Sequence, residues 1–129
     1  MSKRKGSIGE RQLINLFWAA GWAAIRSAGS GSTSFPSPDL LVGNKSRVLA
    51  IEAKVTKEKK KYFPKEEVKQ LINFSKYFGA ENWFAIKFHR VDWIFFSPED
   101  LIEKENSFVA SLELSEIKGV SFSDLIQSY

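Results

Sequence analysis

The run Arg47-Val48-Leu49-Ala50-Ile51-Glu52-Ala53-Lys54-Val55 is β-branched and apolar enough to be a strand buried on both faces, which makes Glu52 and Lys54 anomalous within it. A second apolar run, Asp39-Leu40-Leu41-Val42-Gly43, precedes it. Gly43-Asn44-Lys45-Ser46 has turn chemistry, so the two runs predict an antiparallel hairpin. Upstream, Leu13, Ile14 and Phe17 recur at helical spacing. They predict a helix over about residues 6–20, with Ser7 as N-cap, Glu10 completing a capping box and Gly21 ending it. Residues 22–26 read as a first strand. Pro64 opens a second helix that runs to about residue 78 and stops at Gly79. Strands are expected over 83–88 and 93–96, a short helix from 97 to about 104, an edge strand over 108–114 and a brief helix over 121–126. The order helix, three strands, helix, two strands defines an α/β fold around a mixed central sheet.

At 129 residues the chain is expected to form a single domain with one core. It has no cysteine and one histidine, His89, which excludes a disulfide framework, thiolate metal sites and multi-histidine zinc chemistry, and leaves carboxylate metal chemistry. No apolar run approaches the ~18 residues of a membrane span, so no membrane partner is expected. The basic N-terminus leads into a polar amphipathic stretch, and a soluble cytoplasmic protein is expected. The net charge of +4 is unevenly spread, gathering at the Lys3-Arg4-Lys5 tail, Arg11, Arg26 and a basic loop from Lys57 through Lys61. Taken singly these are ordinary solvated surface; flanking a carboxylate cluster they read as phosphate contacts.

Side chains alternate faces along a strand, so Glu52 and Lys54 share one face roughly 6.5 Å apart. The hairpin brings Asp39, which follows Pro38, beside them. Two acids and a lysine at that spacing read as a metal-dependent phosphodiester-cleaving site. Hard oxygens from Asp39 and Glu52 suit Mg²⁺, while Lys54 stabilises developing negative charge or orients the attacking water. Glu10 has two readings. It completes the capping box, or it lies at the inward edge of the apolar face, where an acid needs a metal or a basic partner. The segment 27–34, rich in glycine and small hydroxyls, is a connecting loop or an active-site loop whose hydroxyls and N–H groups meet phosphates. In the second helix Val68, Leu71, Ile72, Phe74, Tyr77 and Phe78 cover more than one stripe, more apolar surface than one neighbour can bury.

Together, Gly6-x-x-x-Glu10-Arg11, Arg26, Ser30-Gly31-Ser32, Pro38-Asp39, Glu52-x-Lys54 and the Phe74/Phe78 pair resemble archaeal-type Holliday junction resolvases, also found in some viruses, within the restriction-endonuclease-like PD-(D/E)xK superfamily. The resemblance covers roughly residues 3–100. It implies a restriction-endonuclease-like fold, a central mixed five-stranded sheet flanked by helices. It also implies a structure-selective endonuclease that resolves four-way DNA junctions in recombination and repair, by phosphodiester hydrolysis dependent on Mg²⁺, with Mn²⁺ able to substitute. The implied site is Glu10, Asp39, Glu52 and Lys54, with Glu10, Asp39, Glu52 and the Ala53 backbone carbonyl as metal ligands. A loop serine, Ser30 or its neighbour Ser32, is implied in catalysis or phosphate contact. Arg4, Lys5, Arg11, Arg26, Lys57, Gln70 and Lys87 fall among the implied DNA contacts, although Gln70 reads equally as an exposed helical residue and Lys87 as a snorkelling one. A homodimer is implied, with Phe74 and Phe78 on its interface or, alternatively, in the core. A sliding clamp or branch-migrating helicase is a further partner that the resemblance leaves open, as is association with the nucleoid. The alternatives are a superfamily nuclease acting on another DNA structure or sequence, and a non-catalytic DNA-binding protein of the same fold; retention of Glu10, Asp39, Glu52 and Lys54 argues against the second.

Overall fold

The computed structural model describes residues 2–27 and 35–127, with side chains from Ser7 onward. In chain order its elements are α1 (Ser2–Ala19), β1 (Ala23–Arg26), β2 (Leu40–Gly43), β3 (Val48–Val55), β4 (Lys60–Pro64), α2 (Lys65–Phe78), β5 (Glu81–Lys87), β6 (Ile94–Phe96), β7 (Ile102–Glu103), β8 (Ser107–Ser111), α3 (Leu112–Lys118), β9 (Val120–Ser121) and α4 (Phe122–Leu125). Six strands form the main sheet in the order β1-β2-β3-β5-β6-β9, and β4-β8-β7 form a second sheet. The main sheet is mixed: β3 and β5 run parallel, and its other neighbours pair antiparallel.

The alternation of β3 explains the layers. Leu49, Ile51 and Ala53 point to the face covered by Leu13 and Phe17 of α1, together with Leu40, Val42, Ala85 and Phe95. Ala50 points to the opposite face, where Val68 and Leu71 of α2 pack with Phe63, Phe84, Ile86 and Phe96. Glu52 and Lys54 have the parity of Ala50, so both project on the α2 face of an otherwise apolar strand. The crossover from β3 to β5 carries β4 and α2 over that face, as a parallel pair requires. Gly79 ends α2 in the left-handed region, at φ 83°, with its N–H bonded to the Ser75 carbonyl at 2.9 Å.

The expected strands and the second helix are present, and five departures have physical causes. The first helix begins at Ser2, so Ser7 is not its N-cap; the Ser7 hydroxyl instead accepts from Arg26 Nη2 at 3.0 Å. The main sheet has six strands because Val120–Ser121 adds to β6, where Ile94 pairs with Ser121. The basic segment 57–61 is only partly loop, since Lys60 and Lys61 begin β4. The helix expected to reach residue 104 is a single 3₁₀ turn, Pro98–Asp100, because Ile102 and Glu103 pair with Val109 and Phe108. The stretch 108–114 is not an edge strand: β8 lies between β4 and β7. It ends at Ser111, whose hydroxyl caps α3 by accepting from the Leu114 N–H.

Helix α1 lies close on the sheet at Gly9. A Cβ there would stand 2.7 Å from Val55 Cγ2 and 3.3 Å from the Trp93 ring, so only glycine permits this approach. Val55 is β-branched and Trp93 is buried, so neither yields easily. Gly9→Val is therefore expected to lower stability by about 1–3 kcal/mol through overpacking, read as a fall of several degrees in Tm by calorimetry. An unchanged Tm would show that the α1–sheet spacing is not set at this contact.

Candidate active site

The β2–β3 ladder ends at the pair Leu40–Ile51. One step beyond it, carboxylates replace backbone carbonyls as acceptors. The Asp39 N–H donates to Glu52 Oε1 at 2.8 Å, and the Ala53 N–H donates to Asp39 Oδ2 at 2.9 Å. Each acid is thus held through one oxygen by the backbone of the other strand. Ser27 N–H donates to the Asp39 carbonyl at 2.8 Å and fixes the residue from the β1 side. In a strand, the N–H and C=O of one residue face the same neighbour, so the Ala53 carbonyl is directed to the side on which Asp39 lies.

This arrangement concentrates acid in a partly dry place. Burial, followed by the charge of Asp39, pushes the Glu52 carboxyl up to about 8. Asp39 is raised by its own burial, against the lowering pull of the Ala53 N–H and Lys54. Glu10 is raised by burial and by Asp39, while Arg26 opposes both. Burial favours neutral Lys54, but Glu67, Glu52 and Asp39 outweigh it and hold the ammonium above its ordinary range.

Lys54 Nζ lies 3.0 Å from Glu67 Oε2, in the first turn of α2. Glu67 was not among the residues singled out from the sequence. Its position was legible, however: it precedes Val68 and stands one turn before Leu71, at the edge of the buried stripe. A small cavity beside it is lined by Pro36, Ser37, Pro38, Glu52, Glu67, Gln70 and Leu71. Glu10 approaches from α1, and its Oε1 accepts from Arg26 Nε at 2.6 Å. With α1 starting at Ser2, the capping-box reading of Glu10 is lost, and the inward acid has the basic partner it required.

The structure therefore gathers Asp39, Glu52, Lys54 and Glu67, with Glu10 and Arg26 at the margin. Gln70 lines the adjoining cavity, with its amide 3.5 Å from Glu66. Arg11 and Lys57 are exposed, Lys57 just beyond the end of β3. Lys87 has the parity of Ala85 and lines a groove with Gln12, Asn15 and Trp93, on the α1 face and away from the carboxylates. Arg4 and Lys5 lie in α1, with side chains outside the described residues, and Ser30 and Ser32 are outside them altogether. Phe74 packs partly on the α2-side core and stacks on Phe78, ring centroids 5.2 Å apart; Phe78 is 54% exposed. Among the described residues, no three His, Cys, Asp or Glu side chains converge as a protein-only metal cage, and no helix is long and apolar enough to cross a membrane.

A mixed sheet flanked by helices, bearing an acid pair and a lysine at the end of its hairpin, is the framework of the restriction-endonuclease-like nucleases. The profile described as archaeal Holliday junction resolvase (hjc) matches residues 1–129, and the chain belongs to that family. It is 42% identical over 130 residues to the crossover junction endodeoxyribonuclease Hjc of Archaeoglobus fulgidus, covering 95% of each chain. It is 37% identical to the Hjc of Methanocaldococcus jannaschii, covering 95% of this chain and 87% of that one. The 1.6 Å structure of A. fulgidus Hjc, a Holliday junction resolvase from an archaeal hyperthermophile, superposes with a TM-score of 0.88 at 39% identity, covering 93% of this chain and 98% of that one.

The raised Glu52 carboxyl has a consequence for stability. Between its ordinary value of 4.5 and about 8, the metal-free native state holds a proton that the unfolded chain has released, so stability falls as pH rises through this window. Glu52→Gln removes that contribution. The Tm of metal-free wild type is expected to drop more steeply than that of Glu52→Gln between about pH 5 and about pH 8.5. Parallel curves would show that Glu52 is not held protonated in the native state.

Proposed function

We propose that this chain hydrolyses phosphodiesters in four-way DNA junctions at the site formed by Asp39, Glu52 and Lys54, with a bound divalent cation. The observation that carries this reading is the reciprocal clamp, in which Asp39 and Glu52 each give one oxygen to the other strand's backbone. Among the described residues, the second oxygen of each takes no backbone hydrogen bond. The donor set fits a hard cation. Two half-buried carboxylates and a carbonyl, without a full protein cage, suit Mg²⁺, which keeps water and phosphate among its ligands, and Mn²⁺ takes the same donors. Asp39, Glu52 and the Ala53 carbonyl would hold the ion, and bound there it supplies a Lewis acid and a more acidic water.

The remaining chemistry belongs to the chain's own side chains. Lys54 presents an ammonium that the neighbouring acids keep charged on the same strand face as Glu52, where it meets the negative charge that builds on the phosphate as water adds and the ester bond breaks. Arg26 and Glu10 form a charge pair at the edge, and Arg26, Arg11, Lys57, Arg4 and Lys5 supply phosphate contacts around an otherwise anion-repelling pocket. Membership of the resolvase family supports the junction as substrate. Two cuts in a junction call for two sites, and the exposed Tyr77 and Phe78 on α2, with Phe78 stacked on the partly buried Phe74, suit an interface between two copies.

Asp39→Asn is expected to abolish cleavage while junction binding persists, because it removes a ligand charge and spares distant phosphate contacts. Lys54→Ala is expected to slow cleavage by on the order of 10²-fold. Both are checked by single-turnover cleavage and gel-shift titration of a four-way junction and a matched duplex; near wild-type cleavage by either variant would reject the site. Replacing Phe74 and Phe78 together with serine removes roughly 2–4 kcal/mol per ring from an interface, enough to convert a nanomolar dimer largely to monomer. Sedimentation should show a folded monomer, and junction cleavage should show poor paired incision. A wild-type monomer at micromolar concentration would reject the dimer, and an unfolded variant would put both rings in the subunit core.

A further inference from the structure

The carboxylate of Glu67 is not part of the strand motif, yet it lies against the motif's lysine. Its Oε2 is 3.0 Å from Lys54 Nζ, both side chains are largely covered, and that oxygen has no other hydrogen-bond partner among the described residues. The helix holding it is itself anchored, since Val68 and Leu71 are buried beside it and Pro64 sets the start of α2. A lysine has a four-carbon stem with many rotamers, and its ammonium is a point charge without directional geometry of its own. Lys54 therefore needs a fixed counter-charge to stay over the strand end. Glu52 lies on the same strand, but one of its oxygens is committed to the Asp39 N–H.

We propose that Glu67 is a positioning residue, holding the Lys54 ammonium from α2 in the place where it meets the scissile phosphate. The inference rests on the role given to Lys54 above. Glu67 acts through the lysine: it makes neither hydrogen bond of the Asp39–Ala53 clamp, although it lies beside Glu52 and helps to raise that carboxyl, so metal affinity has to be measured alongside cleavage. Through it, the helix that carries the Phe74–Phe78 surface also sets one element of the strand-borne site.

The test is a double-mutant cycle with Glu67→Gln and Lys54→Gln, read by single-turnover cleavage of a four-way junction and by Mn²⁺ binding in calorimetry without DNA. Glu67→Met, which brings no polar atom of its own to the site, repeats the measurement if Glu67→Gln folds poorly. The expected result for Glu67→Gln is a fall of at least tenfold in the maximal single-turnover rate, with the half-saturating enzyme concentration for the junction within threefold of wild type. No further loss should appear when Glu67→Gln is added to Lys54→Gln, and Mn²⁺ affinity should stay within threefold of wild type. Independent, multiplicative losses would overturn the proposal, as would full activity of Glu67→Gln. A tenfold or larger loss of Mn²⁺ affinity would also overturn it, making Glu67 a ligand. If Lys54→Gln alone cleaves normally, the role of Lys54 fails; if only Glu67→Gln cleaves normally, that role stands and the positioning fails.

Discussion

The arrangement of the site depends on the point at which the β2–β3 ladder stops using backbone acceptors. Beyond Leu40–Ile51, the N–H groups of Asp39 and Ala53 would be buried donors without partners, at a cost of about 1–3 kcal/mol each. The carboxylates of Glu52 and Asp39 fill that need, which fixes both acids in the same act. Secondary structure and site are therefore one set of hydrogen bonds. Neither acid can be removed without leaving a strand donor unpaired.

That solution has an electrostatic consequence. Burial of the strand end, and after it the charge of neighbouring acids, raises all three of Glu10, Asp39 and Glu52, Glu52 the most clearly, to about 8. A partly buried carboxyl that is held by a bidentate guanidinium behaves oppositely. At the other end of β3, Glu81 takes both Nε and Nη2 of Arg47, at 2.7 and 2.8 Å, and its carboxyl is lowered, chiefly by that hydrogen bonding. Arg47 also donates to the Leu125 and Gln127 carbonyls, tying the C-terminal segment to the sheet. One end of the strand is neutralised within the fold. The other is left with an excess of acid that a cation or a phosphate-bound basic surface can relieve.

Helix α2 connects the two kinds of surface the fold displays. Its first turn brings Glu67 to Lys54, its middle buries Val68 and Leu71, and its last turns present Tyr77 and Phe78 outward, with Phe78 stacked on the partly buried Phe74. The helix is held at both ends, by Pro64 and by the left-handed Gly79, so a load on its aromatic end bears on a short rigid element.

The local patterns were legible without coordinates because they depend on nearest neighbours in the chain. The apolar run of β3 with its two charges, the turn at Gly43–Ser46, the Pro64 start and the Gly79 stop of α2, and the pairing of Asp39 beside Glu52 all follow from period and turn chemistry. Elements whose identity depends on distant partners were not. Ile102–Glu103 and Lys60–Pro64 became strands only because β8 lay between them, and Val120–Ser121 only because the edge of β6 was open. Short segments have too few internal contacts to specify their own state, and tertiary pairing decides it. The same division runs through the site. The sequence by itself determined that Asp39, Glu52 and Lys54 share a strand end, since a hairpin and a two-residue period leave no other arrangement. Only the tertiary structure decided that Glu67 reaches Lys54 across the crossover, that Arg26 takes Glu10, and that Lys87 lies on the opposite face, because helix docking and sheet parity act over separations that no local pattern encodes.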